Sequence, residues 1–205
     1  MNERMQEGPS TVLHWYDFLC PFCYVGQARS AILVRHGFLV VELPFQAHPE
    51  IPRGGILAGA REGPMYEMLE REAKDAGLQL RWPLRLPDTR EALAAAEWVR
   101  RHQPRAFPRF HSDLFAAHFV LGEDLGDREV IDRHAADAGV DLAALQASLR
   151  DGTAESTVAE AEMLGREHGV RGTPAWLVAG RLILGLRPAA EFERVAEEAT
   201  RRANP

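Results

Sequence analysis

The two cysteines of the chain, Cys20 and Cys23, are separated only by Pro21 and Phe22. A strand-like run, residues 12–18, leads directly into them, and a helical pattern follows. A C-x-x-C pair that comes after a strand and opens a helix is typical of a thiol–disulfide active site. The spacing therefore predicts that Cys20 and Cys23 interconvert between a dithiol and a disulfide.

Two structural uses of the pair compete with this hypothesis. Buried thiols or a fixed disulfide are the simplest alternative, because free cysteine often packs as a small hydrophobic residue, but the strand-to-helix setting disfavours it. A zinc site matches Cys20, Cys23 and His36, yet a fourth ligand should follow His36 within about five residues. The next histidine is His48, and structural zinc takes four ligands. The sequence therefore predicts no metal site.

The elements around the cysteines form a β-α-β pattern. The helix after the cysteines is predicted to run to about His36, with Pro21 in its first turn, where a missing N–H is tolerated. The continuous apolar run at residues 38–45 predicts a second strand, parallel to the first.

Helical patterns then continue over residues 64–169. Asp88 and Glu91 predict a capping box for one of these helices, which runs through Arg101. Strand character returns at residues 175–179 and 182–184, which predict a hairpin, and a last helix starts at Pro188. The order is thus β-α-β, a helical block, and β-β-α.

Composition favours a globular protein without a nucleic-acid or membrane partner. The 205 residues are 46% hydrophobic and 26% charged, with a net charge of −6. The sequence therefore has no excess of positive charge that would attract nucleic acid or an anionic membrane. No apolar run approaches the ~20 residues that span a bilayer. Residues 1–10 lack the apolar segment of a secretory signal, which predicts a cytoplasmic protein. Because most thiols are kept reduced there, a cytoplasmic C-x-x-C pair favours catalysis.

The chain resembles the DsbA family of thiol oxidoreductases, in particular its FrnE-like branch, from Val12 to the last helix. The predicted order is that of the thioredoxin fold with a helical insertion. One departure is Asp88 before Thr89, where the family often has asparagine. The resemblance is carried by Asp-Phe-Leu-Cys-Pro-Phe-Cys-Tyr-Val-Gly at residues 17–26, Leu-Phe-Ala-Ala-His-Phe at 114–119, Gly-Glu-Asp-Leu-Gly-Asp at 122–127 and Gly-Val-Arg-Gly-Thr-Pro at 169–174.

The resemblance implies an α/β protein, a thioredoxin-like fold with an inserted all-helical domain. We expect a discontinuous thioredoxin-like domain at residues 12–55 and 170–202, and a helical insertion domain at residues 56–169. In this family the Thr173-Pro174 pair forms a cis-proline loop that faces the cysteines. Both residues are therefore predicted to bind substrate, with the Thr173 backbone pairing with an extended peptide.

The two cysteines are expected to have unequal roles. Cys20 lies at the helix N-terminus, where orphan N–H groups and the helix dipole stabilise a thiolate, and it should be the attacking thiol. Cys23, one turn deeper, should resolve the mixed disulfide. Pro21 and Phe22 should tune the reduction potential.

Other polar and aromatic residues receive weaker assignments. Asp17 or Glu42 is a hypothetical proton acceptor for Cys23, and His14 either approaches Cys20 or packs in the core. Four histidines are predicted to be surface residues of helices, and three tryptophans to be packing residues. These are His102, His111, His118 and His134, and Trp82, Trp98 and Trp176.

The sequence thus predicts a cytoplasmic dithiol–disulfide oxidoreductase for thiol- or disulfide-containing proteins or small molecules. It should have no bound cofactor, with glutathione as a candidate reductant or co-substrate. Two alternatives stay open: a glutathione-dependent isomerase or transferase, and a redox-regulated binding protein or holdase. The related kappa-class glutathione transferases and 2-hydroxychromene-2-carboxylate isomerases typically have serine where Cys20 stands. The presence of both cysteines therefore favours redox chemistry.

Overall fold

The computed structural model describes residues 11–203, and within them six strands and eight α-helices form. The strands are β1 (Thr11–Tyr16), β2 (Leu39–Pro44), β3 (Ile56–Leu57), β4 (Arg85–Leu86), β5 (Ala175–Val178) and β6 (Arg181–Leu184). The helices are α1 (Pro21–Arg35), α2 (Pro64–Asp75), α3 (Arg90–His102), α4 (Phe107–Ala116), α5 (Arg128–Asp137), α6 (Leu142–Asp151), α7 (Thr153–Glu167) and α8 (Ala189–Ala203). A π-helical turn, Ala117–Leu121, continues α4.

The main sheet has the strand order β2-β1-β5-β6, so β1 is an inner strand. It pairs in parallel with β2 and antiparallel with β5. Because side chains alternate along a strand, Val12 packs in the cluster that includes α1 and α8, whereas Leu13 and Trp15 pack in the cluster that includes α7. Both faces of this strand are therefore buried.

A mostly helical segment lies between β2 and β5. The prediction of a thioredoxin-like fold with a helical insertion is confirmed, and α2 to α7 form the helical part. The insertion also contains a two-stranded antiparallel sheet, β3 with β4, which the sequence analysis did not predict because two-residue strands show no periodicity. The limits of the two domains stay a prediction.

One hydrophobic cluster joins the beginning of α1 to the insertion. The ring of Phe18 lies 4.9 Å from that of Phe115 on α4, and the ring of Tyr24 stacks on Phe119 at 4.9 Å. Buried aromatic pairs of this kind bury large apolar areas and have preferred geometries. The segment with the cysteines is therefore held in place by the insertion as well as by the sheet.

The predicted capping box at Asp88 and Glu91 is wrong. Helix α3 begins after Thr89, whose side chain makes no cap hydrogen bond. The Asp88 carboxylate accepts from the backbone N–H of Arg90 at 3.0 Å, and Glu91 pairs with Arg128 at 2.7 Å. The Thr89 hydroxyl donates instead to a buried carboxylate described below, so tertiary contacts override the local pattern.

Candidate active site

Cys20 is the N-cap residue of α1. Its backbone is extended (φ −80°, ψ 113°), and Pro21 fills the first helical position, where no N–H donor is needed. The Cys20 carbonyl accepts from the N–H groups of Cys23 and Tyr24 at 3.0 and 3.1 Å. This turn places the Cys20 sulfur at the positive end of the helix dipole.

The two thiols interact with each other but differ in exposure and acidity. Cys20 is partly exposed and Cys23 is fully buried. Burial by itself raises the pKa of Cys20, but hydrogen bonds from Cys23 and Thr173 outweigh it and leave the pKa of Cys20 below its ordinary value. Burial, together with the hydrogen bond and the charge of Cys20, raises the pKa of Cys23 well above its ordinary value. Cys20 is therefore the sulfur that ionises first.

The loop before β5 lies against Cys20. The peptide bond between Thr173 and Pro174 is cis, and the Cys20 thiol donates to the Thr173 carbonyl oxygen at 3.5 Å. The Thr173 hydroxyl is buried and makes no hydrogen bond while Cys20 is a neutral thiol, so it is free to donate to the Cys20 thiolate. The structure thus brings together the cysteines and the loop that the sequence analysis assigned to substrate binding.

Asp17 connects three segments beneath the cysteines. Its buried carboxylate accepts from the N–H groups of Leu19 at 3.1 Å and Ala47 at 2.7 Å, and from the Thr89 hydroxyl at 2.7 Å. Burial raises the pKa of Asp17, although these hydrogen bonds oppose the effect. The role of Asp17 as a proton acceptor for Cys23 stays a hypothesis, and its geometry is that of an anchor for the loop before Cys20.

His14 and Glu42 form a pair in the interior between β1 and β2. His14 Nδ1 lies 2.5 Å from Glu42 Oε2, and the imidazole stacks on Trp176 with centroids 4.4 Å apart. Burial would raise the pKa of Glu42, but its pairing with His14 lowers it. His14 is buried and does not line the cavity beside Cys20, so it packs in the core.

A cavity of about 630 Å³ lies between Cys20 and the helical insertion. Its wall on the thioredoxin-like side includes both middle residues of the C-x-x-C motif and Thr173. The insertion contributes Arg61, Tyr66, Trp82 and His118. The sequence alone does not predict these four residues at the site, because no spacing relates the loop before α2 to the end of α4.

The prediction of surface positions for His111 and His118 is wrong. His111 is 7% exposed and His118 is 1% exposed. His111 lies among aromatic rings of the core, and His118 lies on the π-helical turn and lines the cavity. His102 is exposed, as predicted, and His134 is half-buried.

The sequence model of the DSBA-like thioredoxin domain matches residues 11–196. The chain belongs to this family. As a member, it is a DsbA-like thiol–disulfide oxidoreductase, and the resemblance identified from the sequence is confirmed at this level. The FrnE-like branch stays a prediction.

Three solved structures share this DsbA-like fold. The probable DsbA oxidoreductase SCO1869 from Streptomyces coelicolor has a TM-score of 0.80 and 23% identity, covering 95% of this chain and 92% of its own. A 2-hydroxychromene-2-carboxylate isomerase has a TM-score of 0.76 and 19% identity, covering 94% and 97%. The cytosolic disulfide reductase DsbM from Pseudomonas aeruginosa, solved with GSH, has a TM-score of 0.63 and 18% identity, covering 94% and 97%. At these levels of sequence identity, the similarity shows a shared fold.

Two further observations concern residues 11–203 only. No helix there is long and apolar enough to cross a bilayer. No group of three or more histidine, cysteine, aspartate or glutamate side chains is arranged there to hold a metal ion.

Proposed function

We propose that Cys20 and Cys23 are the redox pair of a dithiol–disulfide oxidoreductase, with Cys20 as the attacking and Cys23 as the resolving thiol. The observation that supports this most directly is the position of Cys20 at the α1 N-terminus, on the cavity wall, with Cys23 buried one helical turn below. A nucleophile needs access to its substrate, whereas a resolving thiol needs access only to its partner.

The first step is attack by the Cys20 thiolate on a substrate disulfide, RSSR. A bond forms between Cys20 and one substrate sulfur, the S–S bond of the substrate breaks, and the other half leaves as a thiolate. The lowered pKa of Cys20 supplies the thiolate at a lower pH than an ordinary thiol requires.

The second step closes the protein disulfide. Once Cys20 is in the mixed disulfide, it no longer carries the charge that helps to raise the pKa of Cys23. Cys23 therefore loses its proton more readily at this stage, attacks the Cys20 sulfur and releases the second substrate thiol. In total, the protein dithiol is oxidised by two electrons and the substrate disulfide is reduced to two thiols.

Thr173 and Pro174 are proposed to bind substrate beside the reacting sulfur. The Thr173 carbonyl already accepts a hydrogen bond from the Cys20 thiol, so a substrate that replaces this contact would lie within reach of Cys20. An extended substrate segment can pair with the backbone here, as in strand addition. Pro21 and Phe22, which line the same cavity, add apolar contact area and are proposed to tune the potential.

We propose that the reaction takes place in the cytoplasm on disulfides of proteins or small molecules, with glutathione as the candidate reductant. The similarity to DsbM, a cytosolic disulfide reductase whose structure contains GSH, supports this proposal. The similarity to a 2-hydroxychromene-2-carboxylate isomerase keeps a glutathione-dependent isomerase as the alternative. The buried Cys23 favours the redox function, since isomerisation does not require a resolving thiol.

Thiol release from an aromatic disulfide tests the proposal. Reduced protein mixed with 5,5′-dithiobis(2-nitrobenzoate) should release two equivalents of thiol and end with a Cys20–Cys23 disulfide. Cys23→Ser should release one equivalent and remain as a mixed disulfide on Cys20, and Cys20→Ser should react slowly. Mass spectrometry identifies each product. If wild-type protein stopped at a stable mixed disulfide, this would contradict the resolving role of Cys23 and favour the isomerase. If wild type, Cys23→Ser and Cys20→Ser bound unfolded protein equally well, this would favour a holdase.

A further inference from the structure

The cavity beside Cys20 contains a cation that the proposed thiol chemistry does not use. The Arg61 guanidinium lies over the rings of Tyr66 and Trp82, 5.7 Å from each centroid. Its Nη1 is 3.4 Å from the Tyr66 hydroxyl, which is a weak contact, and its Nε is buried without a hydrogen-bond partner. A buried donor without a partner is costly, and few occur in native proteins.

His118 is a second unpartnered group on the same cavity wall. It is 1% exposed, and neither ring nitrogen makes a hydrogen bond of standard geometry, although the imidazole lies near the Glu123 backbone. The π-helical turn that includes it is an uncommon geometry, found frequently at functional sites. The backbone of this turn is fixed from outside, since the Phe119 carbonyl accepts from the Arg81 N–H at 2.7 Å.

Arg61 and His118 are close enough to interact electrostatically. Burial is the main cause that lowers the pKa of His118 to about 4; a backbone hydrogen bond with Glu123 and the charge of Asp124 oppose the shift, and the positive charge of Arg61 adds to it. The imidazole is therefore neutral near pH 7 and offers one N–H donor. Together the two side chains place one positive charge and two N–H donors that lack a well-formed hydrogen bond, the Arg61 Nε–H and one imidazole N–H, in the wall of the cavity.

The described residues contain no carboxylate partner for this cation. Glu50 is the acidic side chain on the cavity wall, but it is exposed and pairs with His48 at 2.8 Å. No ion pair of Arg61 occurs within residues 11–203. The planar guanidinium matches a carboxylate, which can accept two parallel hydrogen bonds.

We infer that Arg61 and His118 bind the carboxylate of a small disulfide substrate whose sulfur reaches Cys20. This inference rests on the proposed function and adds a substrate class to it: small disulfides in which an apolar or aromatic body carries a carboxylate. Phe22, Trp82 and Phe119 on the cavity wall provide apolar surface for that body. The volume of about 630 Å³ is in the range of small-molecule sites.

Two aromatic disulfides that differ in charge test the inference. 5,5′-Dithiobis(2-nitrobenzoate) carries a carboxylate on each ring, whereas 2,2′-dithiodipyridine carries none near neutral pH. The quantity compared is the second-order rate constant of reduced protein with 5,5′-dithiobis(2-nitrobenzoate), divided by that with 2,2′-dithiodipyridine. A change in the intrinsic reactivity of Cys20 affects both rate constants and therefore cancels in this ratio. Arg61→Gln should lower this ratio at least about tenfold, as expected for the loss of a hydrogen bond between charged groups. His118→Gln should lower it in the same direction, and Arg61→Lys should lower it less than Arg61→Gln.

Arg71→Gln is the matched control, because Arg71 is an exposed arginine of α2 outside the cavity wall. It removes the same charge and should leave the ratio unchanged. An unchanged ratio in Arg61→Gln, or an equal fall in Arg71→Gln, would overturn the carboxylate site while leaving the redox pair intact.

Direct binding separates the two proposals. Binding of 2-nitrobenzoate to Cys20→Ser, followed by NMR chemical-shift changes, should weaken at least about tenfold when Arg61→Gln is added. This measurement does not involve the thiols. If Cys20 proved unreactive with both disulfides, the proposed function would fail, and 2-nitrobenzoate binding that did not depend on Arg61 would overturn the carboxylate site.

Discussion

The Cys20 thiol lies 3.5 Å from the Thr173 carbonyl oxygen, although 153 positions separate the two residues in the chain. The sheet explains this proximity. Strands β1 and β5 are antiparallel neighbours in which Trp15 pairs with Ala175, so the end of β1 lies beside the start of β5. The segment that follows β1 contains Cys20, and the segment that precedes β5 contains Thr173. The central strand pairing therefore determines which backbone group faces the reactive sulfur.

Cys20 should be alkylated at lower pH than an ordinary thiol and much faster than Cys23. Hydrogen bonds from Cys23 and Thr173 hold the pKa of Cys20 below its ordinary value against the effect of burial, whereas the pKa of Cys23 is raised well above it. The pH dependence of iodoacetamide labelling, with the labelled cysteine located by mass spectrometry, measures both. A labelling midpoint for Cys20 at or above the value of a free thiol, about 8.5, would contradict the predicted thiolate stabilisation.

The same shift predicts how the stability of the reduced protein depends on pH. Because the folded-state pKa of Cys20 is depressed, its ionisation stabilises the folded protein above the ordinary thiol pKa. This contribution is lost as the pH falls through the folded-state pKa of Cys20. Urea denaturation of reduced wild-type protein and Cys20→Ser at several pH values should show the contribution only in the wild type.

Thr173→Val should raise the pKa of Cys20 without destabilising the reduced protein at a pH where Cys20 is protonated. The Thr173 hydroxyl helps to lower that pKa, so its removal shifts the alkylation midpoint of Cys20 upwards. While Cys20 is protonated, the same hydroxyl is buried without a hydrogen-bond partner, and an unsatisfied buried polar group costs about 1–3 kcal/mol. Valine has a similar shape, so at a pH below the folded-state pKa of Cys20 the free energy of unfolding should stay the same or rise.

Thr157→Val is the control for this substitution. Thr157 lies on α7 and bonds the Ala154 carbonyl at 2.7 Å, and it does not line the cavity. Its substitution should leave the alkylation midpoint of Cys20 unchanged. A midpoint in Thr173→Val equal to that of wild type would show that the hydroxyl does not act on the thiolate.

The sequence was sufficient to predict the parts of the site that follow from local chain order. The strand before Cys20 and the strand after Pro174 are visible as apolar runs, and their order places the two loops together. The four cavity residues of the insertion were not predictable in this way, because Arg61 and His118 come from segments that meet only through tertiary packing. The hydrogen bond from Thr89 to Asp17 was also missed, because the local sequence resembled a helix cap.

Thr89→Val should lower the free energy of unfolding by about 2 kcal/mol, the typical contribution of a hydrogen bond to a charged group. The Thr89 hydroxyl donates to the buried Asp17 carboxylate at 2.7 Å, and valine leaves that carboxylate with one donor fewer. Thr89→Ser keeps the hydroxyl and should cost less. Urea denaturation of the three proteins measures the effect. Equal losses for valine and serine would mean that packing of the methyl group, rather than the hydrogen bond, accounts for the stability.

His111→Phe should make the protein more resistant to acid. The His111 ring packs against Tyr16, Phe107 and Phe115 with centroid distances of 4.5, 5.2 and 5.1 Å, and its Nε2 has no hydrogen-bond partner. Burial lowers its pKa from 6.5 to about 4, although the Glu42 carboxylate opposes this shift. Below pH 6.5 the unfolded chain therefore binds a proton at His111 that the folded protein does not, so stability falls as the pH drops towards 4.

Phenylalanine removes this titration and fits the aromatic surroundings. Between about pH 7 and about pH 4.5, wild-type protein should lose more unfolding free energy than His111→Phe, by up to about 3 kcal/mol. Urea denaturation at the two pH values measures the difference. His102→Phe, at an exposed position of α3, should lose as much as wild type. If His111→Phe and wild type lost the same free energy of unfolding in acid, His111 would not be held neutral in the folded protein. The loss in acid would then have to come from other buried groups such as His118.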